Sequence, residues 1–222
     1  MWRTMAAGVA AVFVLAACLR AEDLPPSKTL SKAASKALSR LVLPAEKVEY
    51  PEQKHFISKW LILGEFTFGE NDFGGDSQTA SADKAFMPKE AELDGTQPAP
   101  KGVKWAAKAF AESSPPGSID LGTTEHAADY AVAWLYCPEA VSNAKLLVGS
   151  DDYIKVWING KLELTYKTDR RSAEADQDTA SGISLAKGYN RIVVKCVNVV
   201  SVWNFYLRFT DKDGKSFAVE TK

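Results

Sequence analysis

From His55 onward the chain alternates apolar and polar residues with a period of two, the spacing of a strand with one face packed. KWLILGEFTF (59–68), GVKWAAKAF (102–110), SIDLG (118–122) and ADYAVAWLYCP (128–138) read as strands. AKLLVGS (144–150), YIKVWI (153–158), KLELTY (161–166), SGISLA (181–186), NRIVVKCVNV (190–199), WNFYLRFT (203–210) and KSFAVE (215–220) continue the series. Gly64 is expected to kink or bulge the first strand. Many short strands with turn residues between them and almost no helix predict a β-sandwich or barrel. Residues 69–101 are rich in Gly, Asp, Ser, Ala and Pro, with little pattern beyond Phe73 and Phe86. They read as a long loop, a feature that is often either functional or disordered.

The Asn159-Gly160 pair is the strongest local signal, because both central residues of a type I′ hairpin turn need positive φ. A two-residue loop sets Ile158 opposite Lys161 and Trp157 opposite Leu162, and an unbroken ladder continues through Val156–Glu163 to Tyr153–Tyr166. One face then carries Tyr153, Trp157, Leu162, Leu164 and Tyr166. It is the more apolar face across both strands and is expected to form the core, with Trp157 as packing.

The N-terminal residues follow other rules. Arg3 and the apolar stretch Met5–Ala17 fit a secretory signal, and that stretch is too short to span a bilayer. Leu15-Ala16-Ala17-Cys18 resembles the bacterial lipobox, which implies lipidation at Cys18 and a membrane attachment through the lipid. Ordinary cleavage after Ala21 and an uncleaved anchor are the alternatives, and all three readings place the mature protein outside the cytoplasm. Over residues 27–44, Leu30, Ala33, Ala34, Ala37, Leu38 and Leu41 recur at helical steps, opposite a stripe of Lys28, Lys32, Lys36 and Arg40. The expected organisation is a signal peptide (1–21), a helical spacer or linker (22–54) containing that short amphipathic helix, and one β domain (55–222).

Composition narrows the function classes. With 46% hydrophobic and 25% charged residues the chain is ordinary globular material, and a net charge of −1 gives no concentrated basic surface for nucleic acid. Three cysteines are too few for a disulfide framework. Cys137 and Cys196 lie on predicted strands, either as buried thiols or as a bridge if those strands are neighbours. His55 and His126 have no metal-ligand spacing, and no nucleophile elbow, phosphate loop or dinucleotide fingerprint is present. D-K-D-G at 211–214 lacks the later oxygen donors of an EF-hand and reads as a hairpin turn. Catalysis is not expected.

Two readings of the acid pair in GSDDYIKVWINGK (149–161) stand side by side. Asp151 and Asp152 end a strand, where carboxylates accept backbone N–H groups in turns. They would also serve a hard cation such as Ca²⁺ if other carboxylates joined them, since that ion takes six to eight oxygens. Asp178 is the candidate third metal ligand. The polar loop TDRRSAEADQDTA (168–180) supplies Arg170, Arg171 and Asp176 as candidate ligand-binding residues. Trp60, Trp105, Trp134 and Trp203 sit in strand patterns, where aromatics mostly fill cores.

The order LLVGSDDYIKVWINGK, then LAKGYNRIVVKCVNVVSVWNFYLRFTDKDGK, resembles galactose-binding-like β-sandwiches of the jelly-roll type in secreted bacterial proteins. The likeness covers about residues 56–220 and rests on packing and turn patterns. It implies an all-β, two-sheet antiparallel jelly roll whose end loops bind a glycan, often beside a structural Ca²⁺. The expected function is non-catalytic binding of carbohydrate or another cell-envelope polymer. The alternative is an assembly module that docks on a protein partner without binding sugar.

Overall fold

The computed structural model describes residues 56–73, 77–109 and 117–216; the expected signal peptide, the spacer helix and Cys18 lie outside them. Among the described residues ten strands run in chain order: β1 (Lys59–Thr67), β2 (Lys104–Ala109), β3 (Ile119–Gly122), β4 (Ala127–Cys137), β5 (Val141–Asp151), β6 (Tyr153–Ile158), β7 (Lys161–Tyr166), β8 (Asp178–Leu185), β9 (Gly188–Asn198) and β10 (Trp203–Thr210). They form two antiparallel sheets, a six-stranded one in the order β2-β1-β4-β9-β6-β7 and a four-stranded one in the order β3-β10-β5-β8. The expected all-β, two-sheet class is what the chain adopts. Among the described residues no helix is long and apolar enough to cross a membrane.

One core lies between the sheets. Ile62, Ala131, Leu135, Ile154, Val156, Ile158, Ile192 and Val194 of the larger sheet pack there against Ile119, Leu146, Val148, Ile183, Phe205, Leu207 and Phe209 of the smaller. Trp60 and Trp203 are buried in the same layer, with the Trp60 ring edge-on to Phe205 at 5.2 Å. Period-two alternation produces this arrangement, because it sends every second side chain of each strand to one face.

A second core covers the outer face of the six-stranded sheet. Leu63, Phe66, Tyr130, Val132, Tyr153, Trp157, Val193 and Val197 face outward there and are buried beneath Ala82, Met87 and Leu93. Those three come from residues 77–103, which cross the sheet as a strap made of a short helix α1 (Ser77–Asp83), a 3-10 turn (Glu90–Glu92) and extended segments. The segment read as a featureless loop is therefore a structural layer. It explains why β4 and β9 are apolar on both faces.

The hairpin follows the expected turn and then departs from the expected register. Asn159 and Gly160 adopt φ 51° and 88°, and Ile158 pairs with Lys161 and Trp157 with Leu162. A bulge follows, so Val156 pairs with Leu164 and Ile154 with Tyr166. The extra residue, Glu163, flips the strand beyond it, because side chains alternate with a strict period of two. Ile154, Val156, Ile158 and Leu164 consequently face the inter-sheet core, while Tyr153 and Trp157 pack under the strap. Trp157 is buried packing as expected, but on the opposite face from the one anticipated.

The Gly64 irregularity is also present: the β1–β4 register shifts between Leu63 and Phe66. The Gly64–Glu65 and Asp151–Asp152 peptides are cis. Cys137 lies opposite Gly188 and Cys196 opposite Asp129, so the two cysteines are separated by eight residue steps along β9, roughly 26 Å at about 3.3 Å per residue. A disulfide needs Cα atoms within about 7 Å, and both cysteines are buried free thiols.

Candidate functional site

The acid pair closes β5 at a corner where β6, β9 and the 168–177 loop meet. Asp152 Oδ2 accepts the Val199 N–H at 2.8 Å and Oδ1 accepts the Arg171 N–H at 3.1 Å. Asp151 and Asp152 are 5% and 3% exposed. Burial pushes the Asp151 carboxyl up to about 7, with the neighbouring Asp152 charge adding to the effect. Burial raises Asp152 as well, opposed by the Val199 and Arg171 N–H groups and by the Arg170 charge.

Arg171 is the hub of this corner. Its Nε donates to the Ser150 carbonyl at 3.2 Å, Nη2 donates to Ser150 Oγ at 3.0 Å, and its fork grips both oxygens of Asp178. Its guanidinium also stacks on Tyr166, 3.4 Å from the ring centroid. Asp176 is held in the same way by Arg208, with two contacts of 2.7 Å. The loop then lies so close to β5 that a Cβ on Gly149 would overlap the Glu174 carbonyl. Only glycine fits there.

The structure thus gathers Asp151, Asp152, Arg171 and Asp178 into one corner, sets Asp176 against Arg208, and leaves Arg170 exposed to solvent. Most of these groups are engaged with one another. Both oxygens of Asp152 take backbone N–H groups, and the oxygens of Asp178 and Asp176 face guanidinium donors. A cation site built on Asp151, Asp152 and Asp178 would have to displace those donors to collect its oxygens. Among the described residues no group of three or more His, Cys, Asp or Glu side chains is arranged to hold a metal ion. The corner works as a clasp that fixes the loop.

A different surface presents chemistry to solvent. At the far end of β4 and β9, beyond the strap, Trp134, Tyr136, Tyr189 and Arg191 face outward and are half-buried. They form two cross-strand rows, Trp134 opposite Arg191 and Tyr136 opposite Tyr189. The tyrosine rings meet edge to face at 5.2 Å, and the Arg191 guanidinium lies 5.9 Å from the Trp134 ring centroid. Successive rows on one face are about 6.6 Å apart, so the four side chains lie in adjacent rows on one face.

The end of the strap forms a polar wall along those rows. The Ala91 carbonyl accepts from Arg191 Nη2 at 3.3 Å, and the Asp94 carbonyl accepts from Trp134 Nε1 at 3.4 Å. The wall is itself braced. Gln97 accepts the Asp94 N–H at 3.0 Å and donates to the Glu92 carbonyl at 3.2 Å, while Asp94 Oδ1 accepts the Thr96 N–H and hydroxyl at 2.9 and 2.6 Å. Trp105 donates to the Gln97 carbonyl at 2.8 Å. Burial pulls the Arg191 guanidinium down, and Asp94 and Glu92 pull it back up. The shelf therefore offers aromatic faces beside a fork of donors and two nearby carboxylates.

The core expectation for Trp134 holds in part, since its ring is partly buried and packs against the second core, while the sequence pattern does not single out Tyr136, Tyr189 and Arg191. One signal was available. Trp134 and Tyr136 alternate with Ala133, Leu135 and Cys137, so that stretch of β4 carries large rings on the face turned away from its small and aliphatic residues.

No protein-family model matches this chain. No match was found among curated proteins either. Among solved structures, the chain is similar to the PA14 domain of the MpAFP antifreeze protein, at 13% identity and a TM-score of 0.42, over 79% of this chain and 92% of that one. It is similar to a PA14 sugar-binding domain from an RTX adhesin at 13% identity and a TM-score of 0.44, over 73% and 96% of the two chains. A GH31 alpha-xylosidase from Xanthomonas citri aligns at 11% identity and a TM-score of 0.26, over 46% of this chain and 11% of the enzyme.

Proposed function

We propose that this chain is a non-catalytic, extracytoplasmic binding module for carbohydrate, with neutral sugars of a cell-envelope or extracellular polymer as its ligand class. The observation that supports this reading is the shelf: partly buried rings of Trp134, Tyr136 and Tyr189 set against the Arg191 donors and the Ala91–Asp94 wall. Aromatic faces pack on the apolar faces of sugar rings, while charged and amide groups at the edge bond hydroxyls. Glu92 and Asp94 beside Arg191 disfavour a second anion, which argues for neutral rather than acidic sugars. The signal-like leader supports export, and Cys18 is the proposed lipid attachment point.

The assembly-module reading draws on Leu162 and Val202, the large apolar side chains exposed at 48% and 51% among the described residues. They sit on different elements, one on β7 and one in the β9–β10 turn, and do not make a single patch.

The test is calorimetric titration with a panel of neutral and acidic oligosaccharides, with and without chelator. Neutral members are expected to bind, Tyr136→Ala and Tyr189→Ala to weaken them about tenfold each through lost aromatic contact, and EDTA to leave binding unchanged. Affinity that survives the double tyrosine variant, or that vanishes with EDTA, would overturn the assignment.

A further inference from the structure

Lys195 lies in the middle of β9, in the apolar run IVVKCV, and is fully buried. Its ammonium points outward under the strap. There it donates to the Ala82 carbonyl at 3.0 Å, to the Lys84 carbonyl and to Glu90 Oε1 at 3.0 Å. An ammonium has three N–H groups, and these three acceptors use all of them. The rings of Phe86 and Tyr130 flank it at 5.2 and 5.9 Å. The Tyr130 hydroxyl donates to the same Glu90 oxygen and accepts the Phe86 N–H at 3.1 Å. Residues 82–90 are thus wrapped around one cation rising from the sheet.

Glu90 is where this cage meets the shelf. It opens the 3-10 turn Glu90–Glu92, whose next residue, Ala91, supplies the carbonyl that Arg191 contacts, and Asp94 follows with the carbonyl that Trp134 contacts. A second charged tie of the strap is Asp83, paired with Lys155 at 2.6 Å and with Lys167. It lies at the opposite end of the wrapped stretch. Glu90 adjoins the wall along the chain, whereas Asp83 lies farther from it.

We infer that Lys195 is a positioning residue for the shelf: acting through Glu90, it sets the wall Ala91–Asp94 over Arg191 and Trp134 and so fixes the geometry in which a sugar is held. Without Glu90 the buried charge has lost its counter-ion, and the strap must shift to admit water. The wall moves with it. This inference rests on the glycan reading for its functional consequence, but its structural content is measurable without any ligand.

The experiment compares Glu90→Ala and the isosteric Glu90→Gln with the control Asp83→Ala, in the full chain. The readouts are hydrogen exchange of the Trp134 indole N–H by NMR and titration with the neutral oligosaccharide that binds best. Both Glu90 variants are expected to keep the inter-sheet core, to which Glu90 does not contribute. They are expected to speed indole exchange and weaken the sugar by about tenfold, the loss of about 1.4 kcal/mol, while Asp83→Ala leaves both values near those of the unmodified chain. An unchanged Trp134 signal in a folded Glu90 variant would overturn the inference, and so would equal effects from Asp83→Ala. If the indole responds but no oligosaccharide binds even the unmodified chain, the positioning of the wall stands and the glycan reading falls.

Discussion

Replacing Gly64 with alanine is expected to destabilise the sandwich by about 3 kcal/mol, the upper range for forcing atoms into a filled site. A Cβ at that position would overlap the carboxyl of Asp129, a residue that is 3% exposed and whose strand neighbour is Cys196. The cost lies in one contact, so it can be relieved from the other side: Asp129→Ala in the Gly64→Ala background is expected to restore most of the loss. Urea unfolding of both variants measures it. If the double variant is no more stable than Gly64→Ala alone, the clash is not the cause.

Asp129 also makes stability depend on pH in a stated direction. Burial holds its carboxyl at about 8, with Lys108 pulling down and Glu65 pushing up, and Oδ1 makes no hydrogen bond to a described protein group. The folded chain binds this proton more tightly than the unfolded chain does, since an ordinary aspartate titrates near 3.8. Its contribution is therefore complete below about 4 and is lost as pH rises through about 8. Asp151, held at about 7, acts in the same direction. Asp83 acts in the opposite one, its two lysines holding it near 2, but that window closes by 3.8. Between pH 5 and 8.5, on the order of the range spanned by the raised groups, stability should fall, and Asp129→Asn should flatten the fall.

Asp152→Ala is the second large effect expected, about 3 kcal/mol or more. Hydrogen bonds to a charged acceptor contribute about 1.5–3 kcal/mol each, and one buried and one part-buried N–H group would lose their partner. Those belong to Val199 and Arg171, so the damage should spread to the 168–177 loop. Hydrogen exchange is expected to rise at both amides and across the loop. Asp152→Asn, which keeps one accepting oxygen, should lose less. A clasp role predicts that added Ca²⁺ leaves the melting temperature unchanged, whereas a rise with Ca²⁺ that Asp152→Ala abolishes would restore the cation reading.

Much of the β framework is legible in the sequence because alternation has a fixed period and turn residues have fixed conformational demands. Asn159-Gly160 announced its turn for that reason. The register beyond it did not follow from local rules. The Glu163 bulge exists because Leu164 is drawn into the inter-sheet core, and that depends on a partner sheet distant in sequence. The strap was illegible for a related reason. It reaches the sheet through isolated side chains, Ala82, Met87 and Leu93, which show no period. The sheet carried the better signal: Lys195 within an apolar run demands a buried counter-charge, and strands apolar on both faces demand a second cover.

The candidate site was legible in part. Acid and arginine residues of the 149–152 and 168–178 segments do meet, because an arginine fork and a carboxylate pair readily where a loop returns over a sheet. Sequence alone could not show that they would use up one another's bonding capacity. The shelf needed the pairing of β4 with β9, since neither strand alone places Trp134 beside Arg191 or Tyr136 beside Tyr189.

The most direct test is a two-dimensional NMR titration with the tightest neutral oligosaccharide, following backbone amides and tryptophan indoles. The proposal predicts that shifts concentrate at Trp134, Tyr136, Tyr189, Arg191 and the Ala91–Asp94 wall, and that the Asp151–Asp152 corner stays still. Shifts centred instead on Arg170, Arg171 and Asp151, with the shelf unmoved, would contradict it.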